Sequence, residues 1–273
     1  ENPDLLGRVR DAVDKVLDIR AIIKRGDRVL LKVNLLYGTP PGRAVTTHPE
    51  IVRAVGEITR DCGGEILIGD SSGFGSTPRN LKISGIESVA RDLGARIIPF
   101  TEPVDFDRPE AKHARNMKIE KTVLEADVII NLPKLKTHGF TYFTGAAKNL
   151  FGCVPGLQKG RAHVRLPDLE QFSAMLVDLN RIIKPQLNVM DAVIGMEGWG
   201  PGSGDPKKIG LILAGDNTFA LDIVACEIIG QPTSGVPYIR QAAKQGLGPR
   251  NPADIEIMGE KLEDVQVSGF KLR

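Results

Sequence analysis

Apolar positions in this chain alternate between the helical period of about 3.6 residues and short unbroken runs typical of buried strands. Leu5, Leu6, Val9, Val13, Val16, Leu17 and Ile23 recur at helical spacing over residues 5–25, and Gly26-Asp27 stops the pattern. Val29–Val33 reads as a short strand. Thr47-His-Pro-Glu50 has the spacing of a capping box with Pro49 in the first turn, and Ile51, Val52, Val55 and Ile58 then share one helical face. Gly63-Gly64 ends that helix, and Glu65–Gly69 is the next strand. A second helix is predicted over Asn80–Leu93, then a strand at Arg96–Phe100. Beyond residue 125 the same alternation gives strands at Val128–Asn131, Leu187–Val193 and Ile209–Ala214, with helices at Leu169–Ile183 and Asn217–Ile229.

Strands alternating with amphipathic helices predict an α/β fold. The expected sheet is mostly parallel, with helices on both faces and long functional loops at the C-terminal rim of the strands. The chain reads as a single domain over 1–273, with two lobes, 1–125 and 126–273, as the other arrangement its length allows. Gly195–Gly204 holds five glycines in ten residues and is expected to be a tight or mobile loop.

Composition narrows the function classes. A net charge of +2 lacks the basic excess of a general nucleic-acid binder. No apolar run approaches the roughly 20 residues that span a bilayer, and Glu1-Asn-Pro-Asp4 is no secretory leader. Cys62, Cys153 and Cys226 are widely separated and odd in number, which argues against a disulfide framework and for a cytoplasmic setting. A self-contained iron–sulfur site needs about four thiolates, more than this chain has.

Candidate chemistry gathers at strand ends. Lys32 and Asn34 end the first strand, and Asp191 lies near the end of a later one. Asp70, Ser71 and Ser72, with Gly73 and Gly75, offer backbone N–H groups to an anion; a plain serine-rich turn is the other reading. His48 precedes a helix N-terminus and suits an acidic substrate, a metal or a cap. The richest stretch is 131–163. There, Lys134, Lys136 and His138 alternate in an extended piece and share a face, and Lys148 and Asn149 follow the small residues Thr144-Gly-Ala-Ala147. An amine among small residues loses water, drops in pKa and becomes a base or nucleophile. With His163, two histidines and a lysine suit a metal or acid/base site, and an exposed basic loop for a phosphate-bearing partner is the alternative.

The strings LKVNLL, TTHPEIVRAV, GDSSGFG, ADVIINLPKLKTHGFTYFTGAAKNLFGCVPG and LAGDNTFALDIVAC resemble the family known as domain of unknown function 362, whose members are often labelled iron–sulfur-associated. That resemblance implies an iron–sulfur cluster held by a partner or by a ferredoxin-like segment outside these residues. More distantly, His138-Gly-Phe-x-x-Phe-x-Gly-x-x-Lys148, with Pro155-Gly156 and His163, is similar to the core of the nickel-pincer lactate racemase family. That similarity implies Lys148 as covalent anchor of a metal-containing cofactor, His163 as metal ligand, His138 as acid/base group, and Thr47-His48 as the match to a Thr-His pair before a helix.

These readings converge on a metal- or cofactor-dependent enzyme of the oxidoreductase or isomerase class acting on a small carboxylate or phosphate. Lys148 and His138 are expected to be catalytic. Lys134, Lys136, Asp70, Ser71, Ser72 and Asn149 are expected to join Lys148 in holding cofactor or anion, and His163 and His48 to bind metal. The alternative is a non-catalytic docking module for an acidic, ferredoxin-like electron-transfer partner. Neither a nucleic-acid nor a membrane partner is expected.

Overall fold

The computed structural model describes residues 4–273 except 107, 116, 157, 158, 161–165 and 167. The strands are β1 (Arg28–Val33), β2 (Glu65–Asp70), β3 (Arg96–Pro99), β4 (Pro103–Val104), β5 (Ile119–Glu120), β6 (Val128–Leu132), β7 (Lys134–His138), β8 (Tyr142–Thr144), β9 (Leu187–Glu197) and β10 (Asp205–Gly215). The main sheet runs β3-β2-β1-β6-β9-β7-β8, with β10 also paired to β9; β4 and β5 form a separate ribbon. β3, β2, β1, β6, β9 and β7 pair in parallel, while β8 and β10 pair antiparallel to their neighbours. The fold is α/β with a mostly parallel sheet, as the alternating pattern predicts.

Strand parity builds two cores. Val29, Leu31 and Val33 of β1 face one side with Ile66, Ile68, Val128 and Ile130, under the helices Leu5–Val16, Pro49–Asp61 and Ile86–Leu93. Leu30, Leu67, Ile129 and Met190 face the other side, under the helices Leu169–Ile183, Thr218–Ile229 and Pro237–Lys244. Each fully buried aliphatic side chain contributes about 1.5–3 kcal/mol, so both faces are strongly specified. Lys32 and Asn131 are the polar breaks in these apolar strands, both 0% exposed.

Several boundaries differ from the sequence reading for local reasons. The pattern over residues 5–25 forms two helices, because Asp18 accepts the N–H of Arg20 and starts a new turn, Ile19–Ile22. Asn80–Leu93 divides into Thr77–Ile83 and Ile86–Leu93 at Gly85, whose φ of 80° is left-handed. The expected loop after the strand at Val128 is itself a strand. β6 pairs with β9 through Asn131 and Asn188, and after Pro133 the chain continues as β7 beside the same strand, Lys134 opposite Asp191. Gly195–Gly204 is part strand, part turn: β9 runs to Glu197, and the rest links it to β10.

The topology places a crevice. From β1 the chain moves outward to β2 and β3, then returns as β6 on the other side of β1. Connections that diverge in this way leave a gap at the C-terminal ends of the two strands, the position where open α/β sheets bind ligands. Thr47 ties the gap together. Its Oγ1 accepts from Asn34 N at 2.9 Å and donates to Leu132 O at 2.6 Å, while its own N–H donates to Asn34 O at 3.1 Å. Thr47 is therefore not the helix cap its spacing suggested; His48 takes that place.

Candidate functional site

Five lysines meet around this gap. Lys32 Nζ lies 2.9 Å from Asp70 Oδ1 and donates to Val33 O at 2.7 Å. The second Asp70 oxygen accepts Leu35 N at 2.7 Å. Lys134 Nζ lies 2.7 Å from Asp191 Oδ2, which also accepts His48 N at 2.8 Å. Both ion pairs are buried, so Lys32 and Lys134 each already have a carboxylate partner.

Lys136, Lys148 and Lys159 have no carboxylate partner among the described residues. Lys136 Nζ donates to two neutral oxygens, Asn34 Oδ1 and Val45 O, each at 2.8 Å. Loss of water, then the charges of Lys148 and Lys134, push its pKa down to about 7 against the pull of Asp70. Half-buried Lys148 has its Nζ 5.9 Å from the centre of the Phe151 ring. Its pKa falls to about 8, from burial and then the charge of Lys159. Lys159 Nζ donates to the carbonyls of Ser71 and Ser72, and burial takes its pKa to about 8.

A chain of side-chain amides crosses the gap. Asn34 Nδ2 donates to Asn149 Oδ1 at 2.9 Å, Asn149 Nδ2 to Asn131 Oδ1 at 2.7 Å, and Asn131 Nδ2 to Asn188 Oδ1 at 2.9 Å. Each amide has both ends engaged, so its orientation is set by its neighbours. Asn149 is thus an internal tie between strand ends, where the sequence suggested a cofactor contact.

The short helix Ala146–Asn149 that carries Lys148 is held at its start by Asp222. That carboxylate accepts Ala146 N at 2.6 Å, Ala147 N at 2.9 Å and Tyr238 Oη at 3.2 Å. Burial nevertheless raises its pKa to about 7, because three donors do not replace water fully. The backbone at 145 passes so close that an added Cβ would lie 2.2 Å from Asp222 Oδ1. Gly152 is tighter still, with an added Cβ 2.1 Å from Asp70 Oδ1 and 2.6 Å from Lys32 Nζ. Glycine at both positions lets the backbone approach these carboxylates.

The histidines separate. His138 is buried on β7, and its Nδ1 accepts Phe140 N at 3.0 Å and Thr141 N at 3.2 Å. In the neutral ring the proton is therefore on Nε2. His48 caps its helix through Nδ1, which accepts Glu50 N at 3.2 Å, and burial lowers its pKa. His163 lies outside the described residues. No group of three or more His, Cys, Asp or Glu side chains forms a metal cluster among the described residues.

The Asp70–Gly75 turn does not offer the N–H groups expected of it at Ser71 and Ser72. Ser71 N donates to Gly152 O and Ser72 N to Thr77 Oγ1, both at 3.2 Å. Their carbonyls instead hold Lys159. An open surface groove of about 510 Å³ is lined by residues including Tyr142, Glu170, Arg240 and Arg273; Arg240 is paired with Glu170, and no clustered lysine lines it. The lysines without carboxylate partners among the described residues lie instead around the ends of β1 and β6.

Sequence reasoning missed Asp222 and gave Lys159 no separate role. Lys32 and Asn131 carried a readable signal, a polar residue in an otherwise apolar strand. Asp222 sits in the apolar helix Thr218–Ile229 and carries the same signal.

A family model described as domain of unknown function (DUF362) matches residues 29–227. The chain belongs to the DUF362 family. The span covers every strand of the main sheet from β1 nearly in full and all five lysines. This DUF362 protein is 36% identical over 279 residues to the thylakoid-associated protein sll1697 of Synechocystis sp., covering 100% of this chain and 84% of the relative. Its fold is similar to the lactate racemase apoprotein of Thermoanaerobacterium thermosaccharolyticum, with a TM-score of 0.54 at 12% identity over 83% of this chain. The DUF362 chain corresponds to 55% of the racemase chain, about half its length. No helix among the described residues is long and apolar enough to cross a membrane.

Proposed function

We propose that this DUF362 protein is an enzyme that binds a small carboxylate- or phosphate-bearing molecule at the C-terminal ends of β1 and β6 and moves a proton on it. The observation that carries this reading is the set of three buried or half-buried lysines without carboxylate partners among the described residues. Buried cations are paired or they lose their charge. An anion entering the crevice supplies the missing partner and favours the ammonium form of Lys148 and Lys159, so binding is coupled to proton uptake above neutral pH.

Lys148 is the amine that meets the ligand in this reading. It makes no hydrogen bond with the described residues, the low pKa leaves part of it neutral near pH 8, and Asp222 fixes the helix that presents it. Lys159 holds negative charge beside it. His138, protonated on Nε2 in its neutral form, is the second acid/base group. A likeness in fold to lactate racemase favours a small carboxylate with chemistry at the adjacent carbon.

The nickel-type cofactor suggested by the sequence resemblance finds its anchoring amine in Lys148. Its implied ligand His163 lies outside the described residues, and Nδ1 of His48 accepts the N–H of Glu50. The reading runs through the chain's own lysines.

The test is anion binding. Thermal-shift and calorimetric titrations with inorganic phosphate, lactate and malate should show stabilisation that weakens with added salt. Lys148→Ala should keep the far-ultraviolet circular dichroism spectrum and lose at least about tenfold in affinity, about 1.4 kcal/mol. Solvent deuterium should enter the carbon next to the carboxylate in the wild type only. Absence of stabilisation by all three anions, or equal binding by the variant, overturns the reading.

A further inference from the structure

We propose that Lys136, rather than serving as one more anion-holding cation, is the group that accepts the proton at this site. The assignment rests on the anion-binding reading above and names the base within it.

The geometry separates Lys136 from the other lysines carried on strands. Lys32 and Lys134 each sit against a carboxylate, at 2.9 and 2.7 Å. Lys136 is as deeply buried, 1% exposed, yet among the described residues it meets two neutral oxygens. A tetrahedral amine that donates to Asn34 Oδ1 and Val45 O has one position left. In the ammonium that position is a third N–H; in the neutral amine it is the lone pair. No hydrogen bond to a described residue uses it.

The amide chain keeps that lone pair available. Asn34 cannot turn its amide over to donate to Lys136, because its Nδ2 is committed to Asn149 Oδ1, and Asn149 Nδ2 in turn to Asn131 Oδ1. Asn34 presents an acceptor to Lys136 and nothing else. Two acceptors orient the amine without adding the full negative charge that would lock it as an ammonium.

The surrounding charges act in the same direction. Lys134 on the same strand and Lys148 on the helix Ala146–Asn149 both disfavour a charged Lys136, and loss of water is the largest effect. Asp70 at the end of β2 opposes them, but it is already bound to Lys32. Asp191, across from Lys134, is similarly committed. The balance places the amine near pH 7, where a base is most effective.

The step balances without a further reactant. Neutral Lys136 takes a proton from the bound anion, forming an N–H bond as the ligand's C–H or O–H bond breaks. The electron pair stays on the ligand, where the ammonium groups of Lys148 and Lys159 meet the developing charge. Lys136 then returns the proton to the ligand.

The experiment is nuclear magnetic resonance of protein labelled with ¹⁵N at lysine Nζ and ¹³C at Cε, titrated from about pH 6 to 11, with Lys136→Gln to assign the signal. Lys136 should titrate near pH 7 in the wild type and be neutral at pH 9. Asn34→Asp should raise its titration by at least about one pH unit, since a carboxylate then replaces the amide oxygen. The wild-type titration decides even where Asn34→Asp fails to fold. Lys136 still charged at pH 10 in the ligand-free protein, with phosphate binding intact, overturns this assignment and leaves the anion site standing. No binding of phosphate or lactate by the wild type overturns the site, and this assignment with it.

Discussion

Lys136 and Asn34 are 102 residues apart in the chain, and Lys136 Nζ donates to Asn34 Oδ1 at 2.8 Å. This contact joins β7 to the end of β1 across the gap left by the strand order. Because Asn34 is also the first link of the amide chain, the lysine's position depends on Asn149, Asn131 and Asn188. Positioning of the amine and cohesion of the crevice are therefore one property.

Asn149→Ala should be costly for that reason. It removes the partner of partly buried Asn34 Nδ2 and of buried Asn131 Oδ1. Leaving such groups unsatisfied costs about 1–3 kcal/mol each. Urea unfolding should show the loss as a lower midpoint with little change in slope.

Stability should depend on pH above neutrality in a way that the lysines set. An unfolded lysine holds its proton up to about 10.5, whereas folded Lys136 releases it near 7. Between those values the unfolded state binds more protons, so Lys136 makes stability rise with pH. Denaturant unfolding at several pH values between about 7 and 10 should show a shallower rise in Lys136→Met than in the wild type. Saturating phosphate should flatten the wild-type profile as well, because a bound anion restores the ammonium forms of Lys148 and Lys159.

Asp222 should act with the opposite sign at lower pH. Its pKa is raised from 3.8 to about 7, so between those values the folded state holds the extra proton. The stabilising contribution is complete below 3.8 and is lost as pH rises to about 7. Asp222→Asn should remove that part of the profile. Asp222→Ala should also free the start of the helix Ala146–Asn149 and speed hydrogen exchange at Ala146 and Ala147, whose N–H groups Asp222 accepts.

Gly152→Ala tests the close approach of backbone to an ion pair. The new methyl would lie 2.1 Å from Asp70 Oδ1, so either the helix end or the Lys32–Asp70 pair must move. Overpacking of this kind costs about 1–3 kcal/mol. The melting temperature should fall, and lysine labelling should show Lys32, buried in the wild type, becoming reactive.

The sequence by itself determined the alternation of helices and strands, and with it the α/β class. Apolar runs and helical spacing are local signals, and both faces of the sheet obey them. Polar residues at strand ends were legible too: Lys32, Asn34, Asp70, Lys134, Lys136 and Asp191 all come to the crevice region. Tertiary structure decided what each of them does. Strand order put Asp70 on Lys32 and Asp191 on Lys134, which turned two candidate ligand contacts into structural ion pairs and left Lys136 with neutral partners. It also used the N–H groups of Ser71 and Ser72 internally and gave Asn149 to the amide chain. Sequence spacing cannot reveal such outcomes, because a charge loses or keeps its freedom according to which distant residue the sheet brings within about 3 Å.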